Sequence, residues 1–185
     1  MTTYISDTAH YKEVLTRIPQ VKHFLWIGTA DIKDLYMDLP AGQLGVRGDK
    51  KVPLLGVLAK LIQRGVEVRL VHAKEPGSNF REDFDKYPVL FSGLMRVLCP
   101  RVHFKMIIMD GELAYVGSAN LTGAGIGMKS DGKRNFEAGF LTDEPGFIDA
   151  AMSQFDNVWI GHHCKSCRRK DFCGDPINNT SLFFN

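Results

Sequence analysis

The chain has 185 residues, 44% of them hydrophobic, which suits one domain with a full core and a small appendage. Its 23 Lys and Arg against 21 Asp and Glu leave a formal charge of only +2, so overall charge alone argues for no polyanionic partner. No run of about 18 apolar residues exists to span a bilayer, and the opening MTTYISDTAHYKEVL lacks an apolar signal core, so a cytoplasmic location is expected.

Residues 7–19 read as a helix capped by Asp7 or Thr8 and stopped by Pro19. Residues 21–28 are an apolar run of strand length. The stretch 29–50 carries Pro40, Gly42, Gly45 and Gly48 and reads in part as loop. Residues 53–64 show helical spacing and end at Gly65, and 66–72 alternate as a strand. Residues 73–86 are polar and irregular, and 87–98 read as a short helix. A strand over 102–110, a turn at Asp110–Gly111 and a returning strand over 112–118 follow. After a glycine-rich loop, 135–143 is a strand. Residues 146–161 form an amphipathic helix with Phe147, Met152, Phe155 and Val158 or Trp159 inward. The remainder is basic and Cys-rich, then Asn/Thr-rich, and ends on a Phe-Phe pair. No internal repeat is present. This order predicts an α/β sandwich with a mixed central sheet flanked by helices over 1–161, and a small Cys-rich tail over 162–185.

His103, Lys105, Ser118 and Asn120 carry the chemistry. On a strand His103 and Lys105 share one face, while Phe104 and Met106 face the core. The hairpin at Asp110–Gly111 brings Gly117–Asn120 back beside them, and Gly117 permits a close backbone approach. An imidazole can attack phosphorus, and an ammonium and an amide can bind its oxygens as charge develops. Such a site needs no metal. A lone His-x-Lys carries little information. The string His103-x-Lys105-x4-Asp110-x6-Gly117-Ser118-x-Asn120 fixes six positions within 18 residues.

The segment VHFKMIIMDGELAYVGSANLT resembles the HKD motif of the phospholipase D superfamily, and above all its small single-motif members. The strand and helix order fits that family over roughly residues 5–161. The resemblance implies a phospholipase D-like fold and a phosphodiesterase. In it, His103 attacks the phosphodiester to form a phosphohistidine, a second histidine protonates the leaving oxygen, and water resolves the intermediate. Lys105 and Asn120 would hold the phosphate oxygens, and Ser118 would help position them. Asp110 would serve the hairpin through hydrogen bonds. Glu137, in NFEAGF, would hydrogen-bond the histidine ring, against the plainer reading of an exposed strand acid paired with Lys133 or Arg134. Only one such motif is present, and His23, His72 and His163 lack its context. The resemblance therefore implies a homodimer sharing its active site, with the segment 121–134 reaching across.

The tail holds His162-His163-Cys164-x2-Cys167-x5-Cys173. Cys-x2-Cys supplies two thiolates on one turn, a common half-site for zinc, and Cys173 a third. The fourth ligand is left open between His162, His163 and Cys99. An iron–sulfur cluster is the alternative, on a spacing that resembles the C-terminal segment of some RecB-like nucleases. Either would be a closed structural site. Lys165, Arg168, Arg169 and Lys170 lie among these residues, and Lys129, Lys133 and Arg134 follow Asn120. Beside a phosphodiesterase site they read as a backbone-binding surface. The expected substrate is thus nucleic acid, DNA or RNA, cleaved by an endonuclease. The alternatives are a phospholipase or phosphatidyltransferase, and a binding module with a decayed site.

Overall fold

A computed structural model describes residues 1–174. The Asn/Thr-rich end and the Phe-Phe pair lie outside the described residues. Nine strands are described: β1 Thr2–Ser6, β2 Phe24–Thr29, β3 Tyr36–Leu39, β4 Lys50–Pro53, β5 Glu67–His72, β6 Leu94–Leu98, β7 Lys105–Met109, β8 Leu113–Gly117 and β9 Ala138–Thr142. Seven of them make one mixed sheet in the order β1-β9-β8-β7-β2-β5-β6, and β3 and β4 form a separate hairpin. From β1 to β2 every neighbour is antiparallel, while β2, β5 and β6 run parallel. The helices are α1 Leu54–Gln63, α2 Ser78–Asp85, α3 Val89–Gly93 and α4 Pro145–Trp159. The expected α/β architecture with a mixed central sheet is what the chain adopts.

Alternation along the strands sorts two cores onto the two faces of the sheet. Ile107 and Met109 of β7 join Leu25 and Ile27 of β2 and Val68 and Leu70 of β5 beneath α1 and the helical turns of residues 10–20. Met106 and Ile108 point the other way, with Trp26 and Ala114, into α4. That helix buries Ile148, Ala151, Phe155 and Trp159. Phe155 is fully buried, its ring 5.2 Å from Trp26 and 6.1 Å from Trp159. Complete burial of a ring of this size stabilises the packing by roughly 1.5–3 kcal/mol. The guanidinium of Arg69 lies over both indoles, at 4.7 and 5.2 Å, and is paired with Glu67 and Asp156. It therefore ties β5 to α4 through stacking and charge together.

Several expectations shift. Phe147 is exposed, and Ile148 takes its place on the buried stripe. At about 100° per residue, Phe147 falls one step off the line through 148, 151, 155 and 159. Residues 7–19 are not one α-helix: a π-helical turn over His10–Val14 passes into 3₁₀ turns over Leu15–Gln20, with Pro19 inside the last. The polar stretch 73–86 contains α2, which buries only Phe80 and Asp83. Within 87–98 the helix stops at Gly93, and Leu94–Leu98 becomes β6, paired in parallel with β5. Apolar residues in that segment recur at helical spacing, and the partner that makes it a strand lies more than twenty residues earlier.

Candidate active site and a cysteine-lined cavity

The β7–β8 hairpin turns on Asp110 and Gly111, with φ of +55° and +69°. They are the central residues of the Met109–Glu112 turn, closed by the Glu112 N–H donating to the Met109 carbonyl at 3.0 Å, and the left-handed region at both matches the twist of the strands. The register pairs Met109 with Leu113 and Lys105 with Gly117. The Asp110 carboxylate accepts from the backbone N–H groups of Lys22, His23 and Phe24 at 3.0, 2.7 and 3.0 Å. Burial works to raise its pKa, but those three donors outweigh it and hold the carboxyl below its usual range. Asp110 thus fastens the start of β2 to the turn. It sits at the opposite end of β7 from Lys105 and does not touch the reacting groups.

At the other end, β7 is flanked by the carboxyl ends of β2 and β8. His103 stands two residues before the strand and is exposed. Lys105 is only 6% exposed. Its Nζ donates to the His103 carbonyl at 2.6 Å and lies 3.2 and 3.4 Å from ring nitrogens Nδ1 and Nε2. Burial pushes this ammonium below the ordinary lysine range, while the Glu137 carboxylate pulls the other way. Phe104, between them, turns to the opposite face and lies against Gly28 of β2. A Cβ there would stand 2.2 Å from the Phe104 ring. Gly28 therefore admits the ring that anchors the loop entering β7.

Asn120 follows β8, yet its Oδ1 accepts from Thr29 Oγ1 at 3.3 Å and from the Asp31 N–H at 3.1 Å, both beyond β2. Leu121 N–H donates to Thr29 Oγ1 and Lys33 N–H to the Leu121 carbonyl, which closes the same bridge. The two strands on either side of β7 are thus joined across the end that carries His103 and Lys105. With its oxygen committed, the Asn120 amide presents its Nδ2 as a donor elsewhere. Neither Thr29 nor the Asp31 backbone was legible as part of the site. The only signal is a Thr after Ile-Gly at the end of an apolar run.

Ser118 Oγ donates to Glu137 Oε2 and accepts from the Ala138 N–H at 3.0 Å. Asn135 Nδ2 donates to the other oxygen of Glu137 at 2.9 Å. Among the described residues Glu137 is held by these two side chains, and makes no hydrogen bond to His103 and no ion pair with Lys133 or Arg134. Arg134 pairs instead with Asp131 at 2.6 Å. Gly117 opposes Gly139 across β8 and β9. A Cβ on Gly117 would meet the Ala138 carbonyl at 2.6 Å and the Tyr115 hydroxyl at 2.3 Å. The glycine is fixed by that approach, with the buried Tyr115 ring laid over both positions.

The glycine-rich segment folds back rather than outward. Ile126 is buried, and Gly127 packs against the Asp7 backbone. Its exposed part runs over Lys129–Lys133, near Phe136, which is 93% exposed.

The cysteines lie elsewhere. Cys99, Cys164, Cys167 and Cys173 line one cavity of about 710 Å³ between the chain after α4, α4 itself and the loop before His103. No disulfide joins them. His163 is on the cavity wall, whereas His162 is not, its ring standing edge-on to His163 at 5.0 Å. Among the described residues no three His, Cys, Asp or Glu side chains stand close enough together to hold an ion as they are placed.

A family model described as cardiolipin synthase, PLD-like domain, matches residues 43–159. No curated protein matches the chain significantly. Among solved structures, a phospholipase D family member, Nuc from Salmonella typhimurium, superposes with a TM-score of 0.59 at 16% identity, covering 86% of this chain and 93% of that one. NucT from Helicobacter pylori gives 0.58 at 13%, covering 86% and 95%. An archaeal chromatin protein with a novel mode of DNA binding, TrmBL2, gives 0.54 at 13%, covering 85% of this chain and 51% of that one.

Proposed function

The chain belongs to the phospholipase D superfamily, and on that premise we propose that it is a phosphodiesterase acting on nucleic acid through a phosphohistidine intermediate. One observation carries the reading: the Lys105 ammonium stands 3.2 Å from the His103 ring, at the end of β7 that Asn120 spans. His103 attacks phosphorus as the nucleophile. Lys105 and the Asn120 amide donate to the non-bridging oxygens, and the buried setting of Lys105 strengthens that interaction. A protonated histidine gives its proton to the leaving oxygen, which departs as an alcohol, and water then displaces the remaining phosphomonoester from the imidazole. Glu137 acts through Ser118 and Asn135, holding the β8–β9 side of the site. No carboxylate cluster is needed to hold a divalent cation.

One imidazole cannot be nucleophile and general acid in the same step. The second histidine is therefore His103 of another copy, in a two-fold dimer that closes the site. The exposed residues 129–133, with Asn135 and Phe136, are the part free to reach the partner.

Nucleic acid is favoured by the exposed Lys129 and Lys133 in the segment that follows Asn120, by Arg101 two residues before His103, and by the DNA-binding archaeal protein among the similar folds. No helix among the described residues is long and apolar enough to cross a membrane. Phosphatidyl transfer is the second reading, favoured by the family model's own description and by the exposed Phe136. The deciding experiment offers single- and double-stranded DNA, RNA and cardiolipin vesicles to the wild type and His103→Ala, each with EDTA. Cleavage of a nucleic acid by the wild type alone supports the proposal. Action on vesicles alone, or strict dependence on added magnesium, overturns it.

A further inference from the structure

We infer that Cys99, Cys164, Cys167 and Cys173 bind one zinc ion, and that the ion clamps the chain after α4 onto the loop that leads into His103. Sequence spacing groups only the last three. The fold adds Cys99, sixty-five residues before Cys164, to the same cavity. Cys99 is fixed by its backbone: its N–H donates to the His72 carbonyl at 2.8 Å, and its carbonyl accepts from Val102 at 2.9 Å.

The other three are presented by two tight turns. The Cys167 N–H donates to the Cys164 carbonyl at 3.2 Å, and the Cys173 N–H to the Lys170 carbonyl at 3.0 Å. The Arg169 N–H is directed at Cys167 Sγ at 3.4 Å, an arrangement that suits a sulfur carrying charge. Beyond Cys173 the chain returns to β6: a Cβ on Gly174 would stand 3.3 Å from Leu98, the neighbour of Cys99. The residues next to the first and last cysteine therefore lie side by side.

Four soft thiolates select zinc over magnesium or calcium, and fill a tetrahedral shell with no open position. The tetrathiolate would carry a net charge of −2, and Arg101, Arg169 and Lys170 line the same cavity. Val102, Phe104 and Val158 give it an apolar wall. Binding requires the thiols to swing inward from their present places. The site belongs to the α4 face, which Phe104 joins, and Lys105 points away from it. It is a structural site, separate from the phosphate-binding groups.

The test uses the full chain purified without chelator. Elemental analysis is expected to give about one zinc per chain. Ellman's reagent should find the four thiols slow to react until a strong chelator is added. Cobalt(II) in place of zinc should give the visible bands of a tetrahedral thiolate. Cys99→Ser and Cys173→Ser should each lose most of the metal, while His162→Ala keeps it. Three results would overturn the inference: a folded, metal-free wild type with four freely titrating thiols; zinc retained in Cys99→Ser but lost in His163→Ala; or iron with acid-labile sulfide. Should the cysteine variants not fold, the metal content and thiol count of the wild type decide.

Discussion

The β7–β8 hairpin and the chain after α4 each gather a set of reactive side chains, and they do so by different means. Around the hairpin the groups are placed by the strand ladder and by direct hydrogen bonds. The ladder sets Lys105 opposite Gly117, the turn is closed by Asp110, and the Asn120 oxygen is tied to Thr29 and Asp31. After α4 there is no ladder. The thiols surround a cavity without converging, and what would draw them together is a ligand. A site that must stabilise a transition state is built before its substrate arrives, since groups that need no rearrangement lower the barrier most. A structural ion can supply its own organisation, because its binding energy is folding energy.

The sharpest way to break the comparison is His103→Ala. Turnover should fall by at least about a thousandfold, because a nucleophile is removed, while the metal content of the tail stays unchanged. Residual activity within about tenfold of wild type would remove His103 from its role. Mixed dimers of wild type and His103→Ala sharpen it: near-complete loss is expected of a shared site, and half-activity of independent ones. Asn120→Ala should cost on the order of a hundredfold in kcat, the usual effect of losing one donor to developing charge. Thr29→Val should cost less, by freeing the amide to rotate. Equal kcat in Thr29→Val and wild type would show that the bridge across β7 does not position Asn120.

The pH predictions are smaller: both groups make stability rise with pH, each in its own range, whereas activity falls at the alkaline end. Asp110 is held below its ordinary value, so its stabilisation is complete above about pH 4 and is lost as pH falls through the lower folded value. Asp110→Ala should cost about 2–3 kcal/mol by chemical denaturation at neutral pH and flatten the acid limb. An unchanged acid midpoint would contradict the assignment. Lys105 holds its proton less firmly than an ordinary lysine at 10.5. The folded chain therefore binds fewer protons than the unfolded one just below that pH, and this group makes stability rise with pH there. Activity moves oppositely, falling as the ammonium is lost. An alkaline activity limb that tracks the unfolding curve would refute a separate Lys105 step.

The hairpin was legible in sequence because its determinants are local. Period-two alternation and an Asp-Gly turn mark the two strands and the turn within eighteen residues, although the first strand begins at Lys105 and His103, expected on it, stands two residues before it. What was not legible depends on distant partners. Asn120 meets Thr29 across ninety-one residues, and Glu137 turns to Ser118 and Asn135 because β9 packs beside β8. The strand β6 needs β5 to declare itself, and Cys99 stands near the tail only once the sheet is formed. Phe147 was misread for a nearer reason: an aromatic ring outweighs its neighbour in a hydrophobicity count, but helical phase decides which one is buried.

The Tyr115 ring that covers Gly117 and Gly139 gives the protein an optical gauge of its own fold. Burial pushes this phenol well above the usual tyrosine range, whereas Tyr4 and Tyr36 are exposed to solvent. An alkaline absorbance titration follows the ionisation of tyrosine rings. The Tyr115 step would be withheld until β8 and β9 part. Its appearance, read at one wavelength and without any label, would time the opening of the strand pair beside His103 against the loss of turnover.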